Sequence, residues 1–225
     1  PPDERPAQQM PRPTRDRSGT DRERENPMAQ RRTVQRRSTA NQLHWALAAD
    51  VCALVRATPG ITRAGARIGD QVAVCGRLGC SAGGLLVLQR GFGSPKDLVL
   101  EQQCPTVPYG QGKVAAEAGA TAMIDVSDGL LQDLGHICEL SGVGIDVRTG
   151  ALKIHDSLAR LAAATGKDPL GFVLAGGEDH ALAATFPAEV ELPQGWLRIG
   201  TVTAGAEVIV DGMPWTGSVG WDHFA

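Results

Sequence analysis

Apolar positions along this chain switch between two periods. Leu130, Leu131, Leu134, Ile137 and Cys138 recur at helical spacing, which predicts an amphipathic helix over 127–140, stopped at Ser141-Gly142 with Gly142 as a left-handed cap. Leu43, Leu47, Val51, Leu54 and Val55 predict a second helix over 43–57, ended by Pro59-Gly60. Broader helical patterns cover 113–118 and 152–164, the latter broken at Thr165-Gly166. Short apolar or alternating runs predict strands at 71–75, 122–124, 144–147 and 182–186. Two more, 196–202 and 207–210, are expected to pair as a final hairpin with Gly205 in the turn, and Asp211-Gly212 is a further turn signal. Residues 78–85 read as a Gly-rich turn opening a helix to Leu88, 91–111 as a loose stretch with three prolines, and 170–174 as an apolar lead-in. Strands and helices mixed in this way predict an α+β protein.

Residues 1–40 break the pattern. They are rich in Pro and Arg and nearly lack apolar side chains, so they cannot offset the entropy of ordering and are expected to be a disordered leader. Residues 1–37 hold ten Arg and six acids, and the remainder twelve basic and nineteen acidic side chains, so the overall charge of −3 hides a basic arm. That arm is open to two readings, contact with an acidic partner or an extension unrelated to the rest; the whole chain gives no expectation of nucleic-acid binding. No apolar run approaches the length of a membrane span, and no secretory h-region is present. Cys52, Cys75, Cys80, Cys104 and Cys138 form no CxxC pair, which suggests reduced thiols and a cytoplasmic location.

The chemistry concentrates in two places. Asp125, Ser127 and Asp128 sit where a predicted strand hands over to a predicted helix. Carboxylates suit Mg²⁺ shared with phosphate, and helix-start amides favour phosphate. Equally, Ser127 or Asp128 would serve as the helix N-cap. Gly176-Gly177-Glu178-Asp179 follows an apolar run and reads either as a turn or as a close backbone approach ending in two acids. Brought together, the two clusters would form an acidic pocket needing a cation or a cationic substrate. Arg63 is a candidate phosphate contact, and Trp221 is either core or a flat surface for an aromatic ligand. The glycines at 79–84 match neither a P-loop nor a dinucleotide fingerprint and are expected to serve tight packing. His136 is expected to be packed or capping, and HExxH is absent from the sequence.

Arg63-Ala64-Gly65-Ala66 with Gly69-Asp70, residues 78–85, residues 122–137, Gly176–Asp179, Ile199-Gly200 and Gly220-Trp221-Asp222-His223-Phe224 occur in an order that resembles the thiamine-monophosphate kinase family, in the superfamily of aminoimidazole ribonucleotide synthetase. The resemblance covers about residues 61–225. It implies the C-terminal domain of that superfamily's fold, a βαβ-rich mixed sheet with covering helices, behind the 1–40 leader and a 41–60 helical lead-in. The implied reaction is phosphorylation of thiamine monophosphate by ATP, with Mg²⁺ on Asp125 and Asp128. Ser127 and Arg63 would contact ATP, and Glu178 and Trp221 would contact thiamine monophosphate. Family segments Gly-Asp-Asp-Ala and Gly-Gly-Asp-Thr, which supply further metal and ATP ligands, are not found in residues 1–60. The resemblance therefore implies a form lacking the N-terminal domain through which family homodimers usually pair. His180, Ala181 and Cys80 stand where the family has Tyr, Glu and Asp. A non-catalytic domain binding ligand or a partner, or another ATP-dependent member of the superfamily, is the alternative expectation.

Overall fold

The structure, a computed structural model, describes residues 60–220. The expected leader, the helix at 43–57 and the segment Trp221 to Ala225 lie outside the described residues.

Seven strands form one mixed sheet in the order β2-β4-β1-β5-β3-β6-β7. They are β1 (Gln71–Cys75), β2 (Ala122–Val126), β3 (Gly144–Val147), β4 (Ala181–Phe186), β5 (Trp196–Thr203), β6 (Val208–Val210) and β7 (Met213–Pro214). The helices are α1 (Cys80–Gln89), α2 (Lys96–Gln103), α3 (Gln111–Glu117), α4 (Leu130–Ser141), α5 (Asp156–Thr165) and α6 (Pro169–Ala175), with a 3₁₀ turn at Thr149–Ala151. Every strand pair is antiparallel except β3 with β6. The expected final hairpin is thus replaced: β5 and β6 are both strands, but β3 lies between them. The tight hairpin is β6–β7, turned by Asp211 (φ 51°) and Gly212 (φ 80°), the left-handed pair that such a two-residue turn requires.

Strand periodicity sorts side chains onto two faces. Val72 and Val74 of β1, with Ala122, Ile124 and Val126 of β2, enter the larger core under Leu130, Leu134 and Ile137 of α4, Leu158 of α5 and Leu174 of α6. Ala73 and Cys75 point the other way, into a smaller cluster with Ala115 of α3, Phe186 and Trp196. The Phe186 and Trp196 rings meet edge to face, centroids 5.4 Å apart. Truncating a fully buried side chain of the larger core, such as Leu134, costs about 2–5 kcal/mol.

Helix α2 occupies part of the stretch expected to be loose. It packs so closely on α1 that a Cβ on Gly84 would lie 2.0 Å from Leu98 O. Gly83 and Gly84 are therefore interior helix residues serving close helix packing, rather than a turn. The 170–174 lead-in is part of α6, capped by Asp168 and started by Pro169.

Candidate functional site

Strand β2 runs straight into a turn, Ser127–Gly129, whose three amides all donate to Asp133 Oδ2, at 2.9, 3.0 and 3.2 Å. Asp133 lies in the first turns of α4 and is buried. Burial raises its carboxyl pKa, and the three amide donors oppose that rise. The expected N-cap role of Ser127 or Asp128 is thereby corrected. Gly129 takes the cap position with φ 133° and no side chain caps there. Asp133 instead reaches back to the amides of the turn, and Gln132 N in the first helical turn donates to Val219 O (3.1 Å).

The second element is the loop between α6 and β4. Glu178 N donates to Ser127 O (2.7 Å) and His180 N to Val126 O (3.0 Å), fastening this loop onto the β2 turn. Its glycines make that approach possible. A Cβ on Gly177 would lie 2.6 Å from Ser127 O, and one on Gly176 would lie 2.3 Å from Phe172 O and 2.9 Å from Ala82 Cβ. The two glycines serve contact between protein segments. Glu178 (φ 65°) and His180 (φ 50°) are both left-handed, a conformation that side chains other than Gly rarely adopt. Between them Asp179 is buried and accepts from Gly79 N and from Ser81 N (2.9 Å) at the start of α1. Burial pushes its carboxyl up to about 7 despite those donors.

A cavity of about 660 Å³ opens where these segments meet. Ser127, Asp128 and Glu178 line it, with Ala82, Leu85, Gln102, Lys167, Phe172, Ser218 and Gly220 among the other walls. Three of the six candidate residues therefore share one space. Asp125 does not line it: it takes the exposed position of edge strand β2, in register with Leu182. Arg63 is exposed and also outside the lining, its carbonyl accepting from Ser141 Oγ (3.2 Å). Trp221 lies outside the described residues. Half-buried His136 sits on α4. Lys167, the one cation among the described lining residues, was not singled out from sequence; its only signal was its place just after the Thr165-Gly166 break. Gln102 was hidden in the stretch expected to be loose.

Among the described residues no group of three or more His, Cys, Asp or Glu is arranged to hold a metal. A closed protein cage for a cation is thus not formed by these residues. Mg²⁺ commonly takes only one or two carboxylates and completes its shell with phosphate oxygens and water. Asp128 on the cavity wall fits that pattern, with Asp125 three residues earlier as the second candidate.

Residues 67–212 match the family model described as AIR synthase related protein, C-terminal domain. The chain is 49% identical over 166 residues to thiamine-monophosphate kinase of Mycobacterium tuberculosis, covering 73% of this chain and 49% of that protein. It is 38% identical over 175 residues to the Corynebacterium glutamicum enzyme of the same name, covering 74% and 52%. Among solved structures, AaThiL complexed with AMPPCP and TMP superposes with TM-score 0.68 at 36% identity, over 73% of this chain and 54% of that one. The chain spans about half the length of the curated relatives it matches.

Proposed function

The chain belongs to the family of AIR synthase related proteins, by their C-terminal domain, and from that premise we propose that it serves the ATP-dependent phosphorylation of thiamine monophosphate to thiamine diphosphate. The observation that carries this reading is the shared cavity: Ser127, Asp128 and Glu178, from two loops locked backbone to backbone, face one space. The support from relatives is their name and, for AaThiL, a complex with AMPPCP and TMP.

In the transfer, a phosphate oxygen of thiamine monophosphate forms a bond to the γ-phosphorus of ATP. The bond from that phosphorus to the bridging oxygen breaks, and ADP leaves. Such a reaction needs alignment and charge neutralisation more than covalent help from protein. Ser127 is assigned to ATP, as is Arg63. Glu178 is assigned to the cationic thiazolium, where a carboxylate offsets the ring's charge, and Trp221 to the face of that ring. Asp128 and Asp125 would hold Mg²⁺, which supplies charge neutralisation on the phosphate oxygens. Lys167 adds a positive charge at a wall otherwise furnished with two acids. A cytoplasmic location belongs to the same reading, as does a homodimer where the N-terminal domains that usually pair in the family are present.

The test is formation of thiamine diphosphate from ATP, Mg²⁺ and thiamine monophosphate by the purified chain. Turnover that Asp128→Asn abolishes supports the kinase. Because the chain spans about half of its relatives, a second reading is kept: a domain that binds thiamine monophosphate without turnover, with binding lost in Glu178→Ala. A folded chain showing neither turnover nor binding overturns both.

A further inference from the structure

We propose that Asp179 is a positioning residue for the substrate-facing Glu178, a clamp that fixes the Glu178 loop to the start of α1 across nearly a hundred residues of sequence; this rests on the proposed role of Glu178. Asp179 does not line the cavity; its neighbour Glu178 does. The Asp179 carboxylate spans two amides of another element, Oδ2 receiving Gly79 N and Oδ1 receiving Ser81 N. Ser81 returns the grip: its hydroxyl lies 2.8 Å from Glu178 O and 3.0 Å from Glu101 O, and donates to one of them at a time. The other side of Glu178 is tied through its own amide to Ser127 O. Glu178 is thus held at N–H and at C=O, in a left-handed conformation that it would not keep unaided. Gly79 completes the seat. It is left-handed itself, and a Cβ there would lie 2.7 Å from Phe172 C, so only glycine lets the start of α1 sit this close to α6, where its amide reaches Asp179.

The clamp accepts fully at both oxygens only when ionised, since a protonated carboxyl keeps one carbonyl acceptor and carries an O–H where the second amide donates. The other ionisable groups around it are Glu101 of α2, which repels the charge and is itself paired with Arg77, and the Cys80 thiol on α1, which burial pushes up to about 12. His180 and Glu178 flank it in the chain, their side chains 3.6 Å apart. Cys80 stays a thiol through the neutral range, and because every other group is common to wild type and Asp179→Asn, their ratio isolates the charge that Asp179 itself contributes.

The experiment compares this chain with Asp179→Asn, measuring thiamine monophosphate affinity by calorimetry across pH and amide exchange by mass spectrometry. The expected result is affinity about tenfold weaker in the variant near pH 8.5, with the difference shrinking toward none near pH 5.5. Taking the ratio of the two proteins cancels the titration of the ligand's own phosphate. A variant that merely folded less well would show a loss that does not follow this profile, and equal affinities at high pH would overturn the proposal. Ser81→Ala keeps the carboxylate and removes the return bond; a loss of about threefold or more is expected and no loss counts against the clamp. If the wild-type chain does not bind thiamine monophosphate, the ligand reading fails separately. The exchange arm then decides alone: faster exchange at the Glu178 and Ser81 amides in Asp179→Asn supports the clamp, and unchanged protection overturns it.

Discussion

The turn after β2 and the loop before β4 do the same work by different means. Each presents an acid to the cavity, Asp128 in one and Glu178 in the other. Each depends on a buried aspartate that accepts backbone amides, Asp133 for the first and Asp179 for the second. Asp133 grips its own turn, four to six residues upstream. Asp179 grips a helix start 98 and 100 residues away. A grip of the first kind forms as soon as α4 winds, because its donors are already adjacent. A grip of the second kind exists only after α1, α6 and β4 have assembled. The turn's shape is a local property, and the loop's shape is a property of the tertiary fold.

The sharpest way to break this contrast is to remove the local grip. Asp133→Ala leaves three amides of the β2 turn without their acceptor, in a region where water reaches poorly. The expected loss is about 3 kcal/mol, seen as a lower denaturant midpoint at an unchanged slope. Asp133→Asn keeps one acceptor oxygen and should lose less. A cost below about 1 kcal/mol for the alanine variant would mean that packing alone shapes the turn.

The next largest effect concerns the seam between the two loops. Gly177→Ala puts a methyl 2.6 Å from Ser127 O, where only backbone can yield. The expected cost is about 2 kcal/mol, together with weaker thiamine monophosphate binding, since the displaced segments carry Ser127 and Glu178. Binding unchanged at that cost would separate the seam from the site.

The same contrast explains what the sequence revealed. Strands β1 and β3 follow directly from short apolar runs, and α4 with its Gly142 cap from helical spacing. Their signals are local, and their burial agrees with their propensity. Ser127, Asp128 and Glu178 were identified because carboxylates beside glycines and a hydroxyl carry a chemical signature, and the structure brings these three together. Asp133 went unrecognised because an Asp inside an apolar helical face looks like the polar position of an amphipathic helix. Asp179 was counted as one more acid of the cluster, since its donors at Gly79 and Ser81 are far off in sequence. Pairing of β3 between β5 and β6 was also invisible, because two adjacent strand signals separated by a Gly-containing link favour a hairpin on local grounds alone. Gly83 and Gly84 were expected to serve tight packing and do so, at Gly84 against Leu98 of α2, but inside a helix and not in the turn ahead of it.

A smaller effect reads the second grip, that of Asp179, by pH. Asp179 has its folded pKa raised from 3.8 to about 7, mainly by burial. Between those values the folded protein holds a proton that the unfolded chain has released, so stability falls as pH rises. The contribution is fully present below the unfolded value and is lost by the time pH passes about 7. Asp179→Asn removes the group, so its melting temperature should decline less between pH 4 and pH 7 than the wild type's, about a few degrees less. Equal pH slopes for both proteins would show that the buried carboxylate is relaxed by its amide donors.

The smallest expected effect tests a third grip, on the segment that carries Arg63. Ser141, at the end of α4, accepts Gly65 N (3.1 Å) and Ala66 N (3.2 Å) and donates to Arg63 O (3.2 Å). The segment also lies along the outer edge of β2, where Met123 N donates to Thr62 O at 2.9 Å. This grip is remote in sequence, like that of Asp179. It uses a neutral hydroxyl in place of a buried carboxylate, and water can replace its bonds at the surface. Ser141→Ala should therefore cost about 1 kcal/mol or less in denaturant unfolding. Exchange at the Gly65 and Ala66 amides should quicken while the Ser127 and Glu178 amides stay as protected as before. If exchange quickens at Glu178 as well, the Arg63 segment and the cavity loops move as one unit, and distance in sequence would no longer distinguish the grips.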